Sequence, residues 1–457
     1  MSHSAEREKP PLMPPDIDLT SISDRLVSIV THNKTPRSWL YATAFFIFLT
    51  MVYLYSISWV FKTGVGLFGV NIPVAWEFPI ASTIWWIGIA HAGTLISGVL
   101  LLTRQNWRPA IARFAEAMAM FAIIFAGAYP LIHLGRPWFF YWLLPYPNTQ
   151  GLWPNWKSPL IWDFFAITSY MLYTACFLYL DLLPDFATMR DRAKHRISQM
   201  FYGIMALGWR NSARHWARFD RANTILAAIS APIVVSVTGT ISLDLAVTIV
   251  PGYHFTIFPA YFVAGALYSG FATVILIAVP FRAMFGLQDL ITPRHIDYIA
   301  KVMLGFVLVV DYSYMCEIWT AFYSGAPYYY GVYHNRWFEY YAPVYWTTYF
   351  LNIVVPQAMW FKRVRRSIPA MFVIAMIADL GMWLERYFIV VTSTNRDYMP
   401  SAWLPKLPTG WDFAVLLGSV GGFCLLMMIF IRVVPLISLH DMRKLITRKK
   451  GDVETTE

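Results

Sequence analysis

Charged residues are scarce in this sequence of 457 residues. Asp, Glu, Lys and Arg together make up 14% of it, whereas hydrophobic residues make up 58%. An average soluble domain contains about 25% charged residues, so a single core surrounded by water cannot account for this composition. The scarcity of charge argues against an ordinary soluble protein and indicates that lipid surrounds much of the chain.

Cysteine is also rare, and its spacing excludes common redox motifs. Cys176, Cys316 and Cys424 lie far apart, each within an apolar run. The sequence therefore contains no CxxC motif, no CxxCH motif and no cysteine set for an iron–sulfur cluster. We predict that this chain ligates no such centre and holds no metal.

Long apolar runs dominate the rest of the sequence. Ten of them approach the roughly 20 residues that a helix needs to cross the hydrocarbon core. They lie at residues 39–61, 80–102, 115–135, 160–183, 224–249, 256–280, 296–323, 343–361, 369–392 and 411–436. The sequence therefore predicts an all-α integral membrane protein with about ten transmembrane helices.

The basic residues predict the orientation of these spans. With the N-terminus inside, the inner segments hold 28 of the 36 Lys and Arg residues, and the outer loops hold six. Cytoplasmic loops collect Lys and Arg, so the polar segment 1–38, which lacks the features of a signal peptide, and the tail 437–457 are both predicted to be cytoplasmic. The net charge of +10 then indicates contact with an anionic inner leaflet rather than with nucleic acid.

Two kinds of connecting segment differ in composition. The basic cytoplasmic loop 184–223 holds eight Lys and Arg residues among aromatic residues, and we predict that it lies along the lipid headgroups as an amphipathic helix. The outer loops 136–159 and 324–342 are rich in Trp, Tyr and Pro. Such rings suit the membrane interface, and they also suit a docking surface for a partner. Both interpretations stay open.

Ionisable residues inside the spans are functional candidates, because each costs about 2.5–3.5 kcal/mol to insert at the centre of a membrane helix. Near mid-membrane the sequence places His91, Asp311 and Asp379. Toward the outer face it places His133, Asp163, Asp244, Glu317, Glu385 and Arg386, followed by His254 in a short outer connection. We expect the inner half to be nearly free of acids, which predicts chemistry at the outer face above an incomplete proton path.

His133 and Asp163 form the leading candidate pair. Spans three and four form a hairpin through one outer loop, so each residue lies about one turn inside the same face. A quinol that loses two electrons also loses two protons, and imidazole and carboxylate groups can accept them. Structural roles stay open, because Asp163 could complement a helix N-terminus capped by Ser158 and His133 could bond to a loop carbonyl. Their matched depth favours function.

Other functional classes fit less well. A b-type haem needs two histidines that face each other from neighbouring helices, and His91 has no partner at its depth. A secondary transporter should place its site near the midplane, whereas the charges here gather toward the outer face. A purely structural anchor explains the aromatic loops but not the His–Asp pair.

Three segments carry a family resemblance: WWIGIAHAGTLISGVLLLTRQNWR (85–108), RFAEAMAMFAIIFAGAYPLIHLGRPWFFYWLLPYPN (113–148) and SLDLAVTIVPGYHFTIFPAYFVAGALYSGF (242–271). They resemble the NrfD/polysulfide-reductase family of membrane proteins, and within it the NrfD-like component of bacterial alternative complex III. The resemblance extends over about residues 39–436 and includes ALGWRNSARHW at 206–216. It implies two four-helix bundles, formed by spans 2–5 and 6–9, with flanking helices.

The resemblance also implies a function. It predicts a quinol:electron acceptor oxidoreductase of a respiratory or photosynthetic chain in the bacterial inner membrane, in which this chain binds menaquinol or a similar quinol. Electrons would pass to a periplasmic, ferredoxin-like iron–sulfur subunit and then to a multihaem cytochrome c subunit, beside a second NrfD-like subunit. Another NrfD-containing reductase with the opposite electron direction is the alternative, beside the anchor and the transporter.

Individual roles follow from the matched positions. The resemblance assigns the quinol site to His133 and Asp163, with Asp244 and His254 in a nearby motif. We expect Arg136 to contribute to the quinol site. The aromatic rings of Tyr129, Trp138 and Trp162 are expected to form walls around the quinol. The proton routes that the resemblance implies would run past His91, Asp311, Glu317, Asp379, Glu385 and Arg386.

Short matches between the two halves indicate an internal duplication. Gly135-Arg136-Pro137 recurs as Gly325-Ala326-Pro327, and Phe78-Pro79 recurs as Phe258-Pro259. The second copy then places Tyr323 at the position of His133 and Thr347 at the position of Asp163. We therefore predict one quinol site per chain, in the first bundle.

Overall fold

The computed structural model describes residues 19–31, 35–70, 77–146, 151, 156–405 and 407–454. Helices account for most of these residues, and none of them forms a β-strand. Nine of the described helices are long enough and apolar enough to cross a membrane. The all-α membrane fold predicted from the sequence is therefore confirmed.

The nine long helices agree with nine of the predicted spans. They are α2 (Arg37–Thr63), α3 (Phe78–Leu102), α4 (Ala112–His133), α5 (Pro159–Arg192), α7 (Ala213–Ala246), α8 (Phe258–Met284), α9 (Pro293–Tyr323), α13 (Ile368–Asn395) and α14 (Gly410–Val433). Six shorter helices accompany them. These are α1 (Leu19–Thr31), α6 (Arg196–Met205), α10 (Pro327–Phe338), α11 (Ala342–Tyr349), α12 (Lys362–Arg365) and α15 (Leu439–Glu454).

The eighth predicted span, at 343–361, is not one continuous α-helix. It begins as α11, passes through a π-helical turn at Phe350–Val354 and ends as a 3₁₀ segment at Val355–Trp360. Pro356 lies where the hydrogen-bond pattern changes, because proline has no N–H to donate and its ring clashes with the preceding turn. Apolarity in the sequence located this segment but did not reveal its change of helix type.

The long helices form the two expected bundles. Helices α3, α4, α5 and α7 pack together, as do α8, α9, α13 and the broken helix that begins with α11. Helices α2 and α14 pack against each other along the first bundle. The bundles meet where α3 contacts α8, at positions occupied by small residues such as Ala92 and Gly270. Small residues let membrane helices approach closely.

The two bundles also share local features. In each, a Phe-Pro pair begins the first helix, with Pro79 in the first turn of α3 and Pro259 in the first turn of α8. Helix α4 is followed by Gly135 at φ 65° and α9 by Gly325 at φ 64°, a left-handed conformation that glycine adopts readily at helix ends. These shared features support the predicted duplication.

The first and last described helices, α1 and α15, lie at the same end of the bundles. Helix α1 contacts α15, and Asp441 of α15 bonds to Arg108 in the connection between α3 and α4. Following the predicted orientation, we call this end of the bundles the inner end. The opposite end, which carries His133 and Asp163, is the outer end.

Alanine substitutions at two glycines, Gly270 and Gly305, test the contact between the bundles. A Cβ atom at Gly270 would lie 1.9 Å from the Ala92 Cβ, whereas a Cβ at Gly305 of α9 would meet nothing within 4 Å. We expect Gly270→Ala to lower the free energy of unfolding by about 1–3 kcal/mol because of overpacking. Gly305→Ala should be neutral or stabilising by up to about 1 kcal/mol. Thermal unfolding in detergent measures both, and equal effects would contradict the predicted contact.

Candidate functional site

Two carboxyl groups meet at the outer end of the first bundle. Helices α5 and α7 bring Asp163 and Asp244 close enough for a hydrogen bond between their side chains. An ionised carboxylate only accepts hydrogen bonds, so this bond requires one proton on the pair. One carboxyl oxygen of each residue is buried and has no hydrogen-bond partner among the described residues. No donor from elsewhere in the described chain therefore reaches these two oxygens.

His133 is the last residue of α4, which packs against α5. Its side chain is partly buried, and its Nδ1 atom is buried with no hydrogen-bond partner in the described part of the chain. The structure places no hydrogen bond or ion pair between His133 and Asp163, both of which lie in that part. The ionisable partner of Asp163 is Asp244, so the site comprises a carboxyl pair and a separate imidazole.

Four other predicted site residues lie at the surface of the outer end. Arg136, Trp138, Trp162 and His254 are exposed. The Trp162 indole donates a hydrogen bond to the Trp156 carbonyl at 2.7 Å. Exposed rings at this position suit both lipid headgroups and a protein partner, and their contacts do not distinguish the two.

Tyr129 packs within the protein, whereas the sequence analysis expected its ring to form a wall of the quinol site. It is 1% exposed, and its hydroxyl lies 3.1 Å from the Ser419 hydroxyl of α14. The Trp86 indole donates to the same Ser419 oxygen at 3.1 Å. These bonds give Tyr129 a packing role between α3, α4 and α14 in this structure.

His91 lies in the centre of the first bundle. Its Nδ1 atom is 2.7 Å from the Thr238 hydroxyl of α7, and its ring packs edge-on against Tyr170 of α5 with centroids 4.4 Å apart. The Nε2 atom is buried with no partner among the described residues. His91 is therefore a buried imidazole with one free nitrogen, below the carboxyl pair.

The inner end of the first bundle holds acids that the sequence analysis missed. Arg113 bonds to Asp181 at 2.7 Å and to Asp185 at 2.9 Å, and all three side chains are buried. Glu116 is buried too and accepts a hydrogen bond from Ser97 at 2.5 Å. The expectation of an inner half nearly free of acids is wrong.

The sequence did carry a signal for these residues. Glu116 and Asp181 fall inside the predicted spans 115–135 and 160–183, close to their inner ends. Their cations, Arg108 and Arg113, belong to a segment that the charge count treats as a solvated inner loop. The chain instead folds both arginines into the base of the bundle, where they compensate the acids.

The second bundle arranges its acids along two parallel helices. Glu317 and Asp311 lie six residues apart on α9, and Glu385 and Asp379 lie six residues apart on α13. This spacing separates the members of each pair by about 9 Å along the helix. The acids thus form two levels, one nearer the outer end and one near mid-membrane.

The level nearer the outer end consists of ion pairs. Arg336 bonds to Glu317 at 3.0 Å, and Arg386 lies 2.6 Å from Glu385. Glu385 also accepts a hydrogen bond from Tyr314, whose hydroxyl in turn accepts one from Asn352 of the π-helical turn at 2.9 Å. Arg336 belongs to a predicted outer loop, but α10 inserts it fully into the bundle.

The mid-membrane level contains no ion pair among the described residues. Asp379 accepts a hydrogen bond from Thr273 at 2.8 Å, and Asp311 accepts one from Gln357 at 3.3 Å. Each aspartate keeps one buried carboxyl oxygen without a partner in the described chain. The structure thus gives these acids only neutral hydrogen-bond donors, which suits groups that exchange protons.

A family comparison defines the class of this protein. The family model described as "Polysulphide reductase, NrfD" matches residues 66–396. The chain belongs to the NrfD family. Its members are membrane subunits of quinone-interacting reductase complexes and typically partner iron–sulfur subunits. Both bundles lie within the matched residues, whereas α2 and α14 lie entirely outside them. No curated protein matches the chain.

The buried ion pair between Arg336 and Glu317 leads to a prediction about stability. We expect Arg336→Met to lower the free energy of unfolding by about 3–5 kcal/mol, because Glu317 would remain buried without its cation. The double variant Arg336→Met/Glu317→Gln should recover part of this loss. Thermal unfolding of the purified protein measures all three forms. A double variant less stable than the single one would show that the uncompensated charge does not cause the loss.

Proposed function

We propose that this NrfD-family chain is the quinol-oxidising membrane subunit of a quinol:electron acceptor oxidoreductase of the alternative complex III type. The observation that carries the proposal is a set of three buried polar atoms at the outer end of the first bundle, to which no other part of the described chain donates: His133 Nδ1 and one oxygen each of Asp163 and Asp244. A buried polar atom without a partner is costly. A ligand with two hydroxyl groups would satisfy such atoms.

The residues fit a quinol headgroup chemically. A quinol has two hydroxyl groups at opposite ends of one ring, and the site has an imidazole on α4 and a carboxyl pair between α5 and α7. In the proposed complex one hydroxyl donates to His133 and the other to the carboxyl pair. Menaquinol or a similar membrane quinol would supply both hydroxyl groups.

The site also has the proton capacity that the reaction needs. Oxidation of a quinol to the quinone releases two electrons and two protons. The carboxyl pair with one bound proton can take up one more, and a neutral His133 can take up another. In the proposed reaction both electrons leave to a partner subunit, and both protons pass from these side chains to the outer, periplasmic side.

The electrons need an acceptor outside this chain. Among the described residues no group of three or more His, Cys, Asp and Glu side chains could hold a metal ion, and family members typically partner iron–sulfur subunits. We propose that a periplasmic iron–sulfur subunit docks on the exposed rings around Trp138 and Trp162 and passes electrons to a multihaem cytochrome c subunit. A second NrfD-like subunit would complete the membrane part.

We also propose that the buried polar groups below the site serve proton transfer. In the first bundle His91 lies between the carboxyl pair and Glu116, and in the second Asp311 and Asp379 have only neutral donors. The arginine-bound acids Glu317 and Glu385 would complete the second route together with Arg386. Proton translocation beyond the release from quinol would use these groups.

Substitution of Asp163 tests the quinol site directly. We expect Asp163→Asn to lower kcat for quinol oxidation by about 10²–10⁴-fold, the usual contribution of a general base. The amide can still bond to Asp244, so the complex should assemble normally. Quinol-dependent reduction of the bound electron acceptor by the purified complex is the assay, and it should be run in both electron directions.

Thr347→Val provides the matched control. Thr347 is exposed and occupies the position of Asp163 in the second bundle, so turnover should not change. Unaltered kcat in Asp163→Asn would refute the role of this carboxyl group. A quinol resolved in the second bundle, with none in the first, would refute the placement of the site.

A further inference from the structure

A groove of about 260 Å³ lies at the inner end, far from the proposed quinol site. Helices α5 and α7 form its walls together with the connection that follows α6. Its lining is mainly apolar on the α5 side and basic on the α7 side. The lining residues are Leu180, Leu183, Ala206, Leu207, Trp209, His215, Arg218, Phe219 and Ala222.

The groove lies at the predicted boundary between hydrocarbon and headgroups. Leu180 follows Ile161 by 19 residues on α5, which corresponds to about 29 Å along the helix. The hydrocarbon core is about 30 Å thick, so Leu180 and Leu183 lie near its inner edge. On the antiparallel α7, Arg218 precedes the predicted span that begins at residue 224. The apolar wall therefore borders lipid tails, and the basic wall borders headgroups.

The basic wall carries positive charge that the protein leaves uncompensated. Arg218 lines the groove, and Arg214 lies one turn before it on α7, outside the lining. Neither guanidinium group makes a hydrogen bond or ion pair with any described residue. The nearby acid Asp220 is bound to Lys444 of α15 at 2.9 Å. This wall therefore attracts an anion.

His215 adds a directed hydrogen-bond donor. Its Nδ1 atom accepts a hydrogen bond from the backbone N–H of Arg210 at 3.2 Å. In a neutral imidazole whose Nδ1 is the acceptor, Nε2 carries the proton and donates. Because His215 lines the groove, this N–H is available beside Arg218 for an anionic oxygen.

Helix α6 exposes an apolar face next to the groove. Ile197 is 83% exposed, Ile204 is 70% exposed and Leu207, which lines the groove, is 73% exposed. Tyr179 of α5 fixes the helix in place, since its hydroxyl donates to the Met205 carbonyl at 2.6 Å. Such a face is unfavourable in water and suits insertion among lipid tails at the interface.

We propose that this groove binds an anionic phospholipid of the inner leaflet. The phosphate would contact Arg218, His215 and the neighbouring Arg214, and one acyl chain would lie along Leu180 and Leu183. A zwitterionic lipid would not compensate the free arginines, and a free phosphate ion would not use the apolar wall. Charge and apolarity together therefore select an anionic lipid.

Lipid titration of the purified protein tests this site. After delipidation in mild detergent, native mass spectrometry would compare phosphatidylglycerol with phosphatidylcholine of identical acyl chains. We expect tighter binding of phosphatidylglycerol and a loss of about fivefold in its affinity in Arg218→Gln, which corresponds to about 1 kcal/mol per basic residue near an anionic lipid. Arg221→Gln is the control, because it removes the same charge from α7 outside the groove; its loss should stay below about twofold.

Ala222→Phe separates the lipid from a free anion. The larger side chain would fill the groove beside the basic wall, so it should weaken phosphatidylglycerol binding and leave any binding of inorganic phosphate unchanged. Unaltered thermal unfolding and size-exclusion profiles would show that the variants fold. The proposal is overturned by equal binding of the two lipids, by equal losses in Arg218→Gln and Arg221→Gln, or by competition from millimolar inorganic phosphate.

Discussion

The low polarity of lipid is the constraint on which the rest of this structure depends. A buried ionisable group in a membrane helix must find a partner, because water cannot solvate it there. The second bundle meets this demand with Arg336 against Glu317 and Arg386 against Glu385, and the inner end meets it with Arg113 between two aspartates. The carboxyl pair at the outer end of the first bundle has no cation among the described residues, and a hydrogen bond between its two members requires one shared proton. Asp311 and Asp379 also lack a cation there, and these cation-free acids are the ones to which the proposed function gives proton transfer.

Much of this arrangement could be predicted from the sequence. Apolar length located the helices, and the distribution of Lys and Arg grouped the connections into two sets. Depth alone placed His133 and Asp163 at one end, because residues that begin and end consecutive spans must lie near the same face. Depth also placed Asp244 at the outer end, and the family resemblance put it near the quinol site, but no local pattern indicates that it faces Asp163.

The parts that could not be predicted depend on tertiary contacts. The direction of a side chain decides whether Tyr129 faces a ligand or Ser419, and one apolar helix pattern is compatible with both. The burial of Arg113 depends on how the connection after α3 folds beneath the bundle, and a charge count cannot distinguish a solvated arginine from a buried one. Pro356 was visible in the sequence, but the π-helical turn that precedes it depends on hydrogen bonding.

The two bundles share local features but differ at the outer hairpin. Both bundles have the same backbone features at their helix ends. A proline lies in the first turn of α3 and of α8, and a glycine in the left-handed conformation follows α4 and α9. The residues next to that glycine turn have diverged, since His133 corresponds to Tyr323, which is 81% exposed, and Asp163 corresponds to the exposed Thr347. Backbone geometry is therefore similar in both halves, whereas the second-bundle positions that match His133 and Asp163 carry neither an imidazole nor a carboxyl group. The second bundle instead carries its acids deeper, where Arg336 compensates Glu317 and Arg386 compensates Glu385, so that lipid-facing helices can hold these charges in the protein interior.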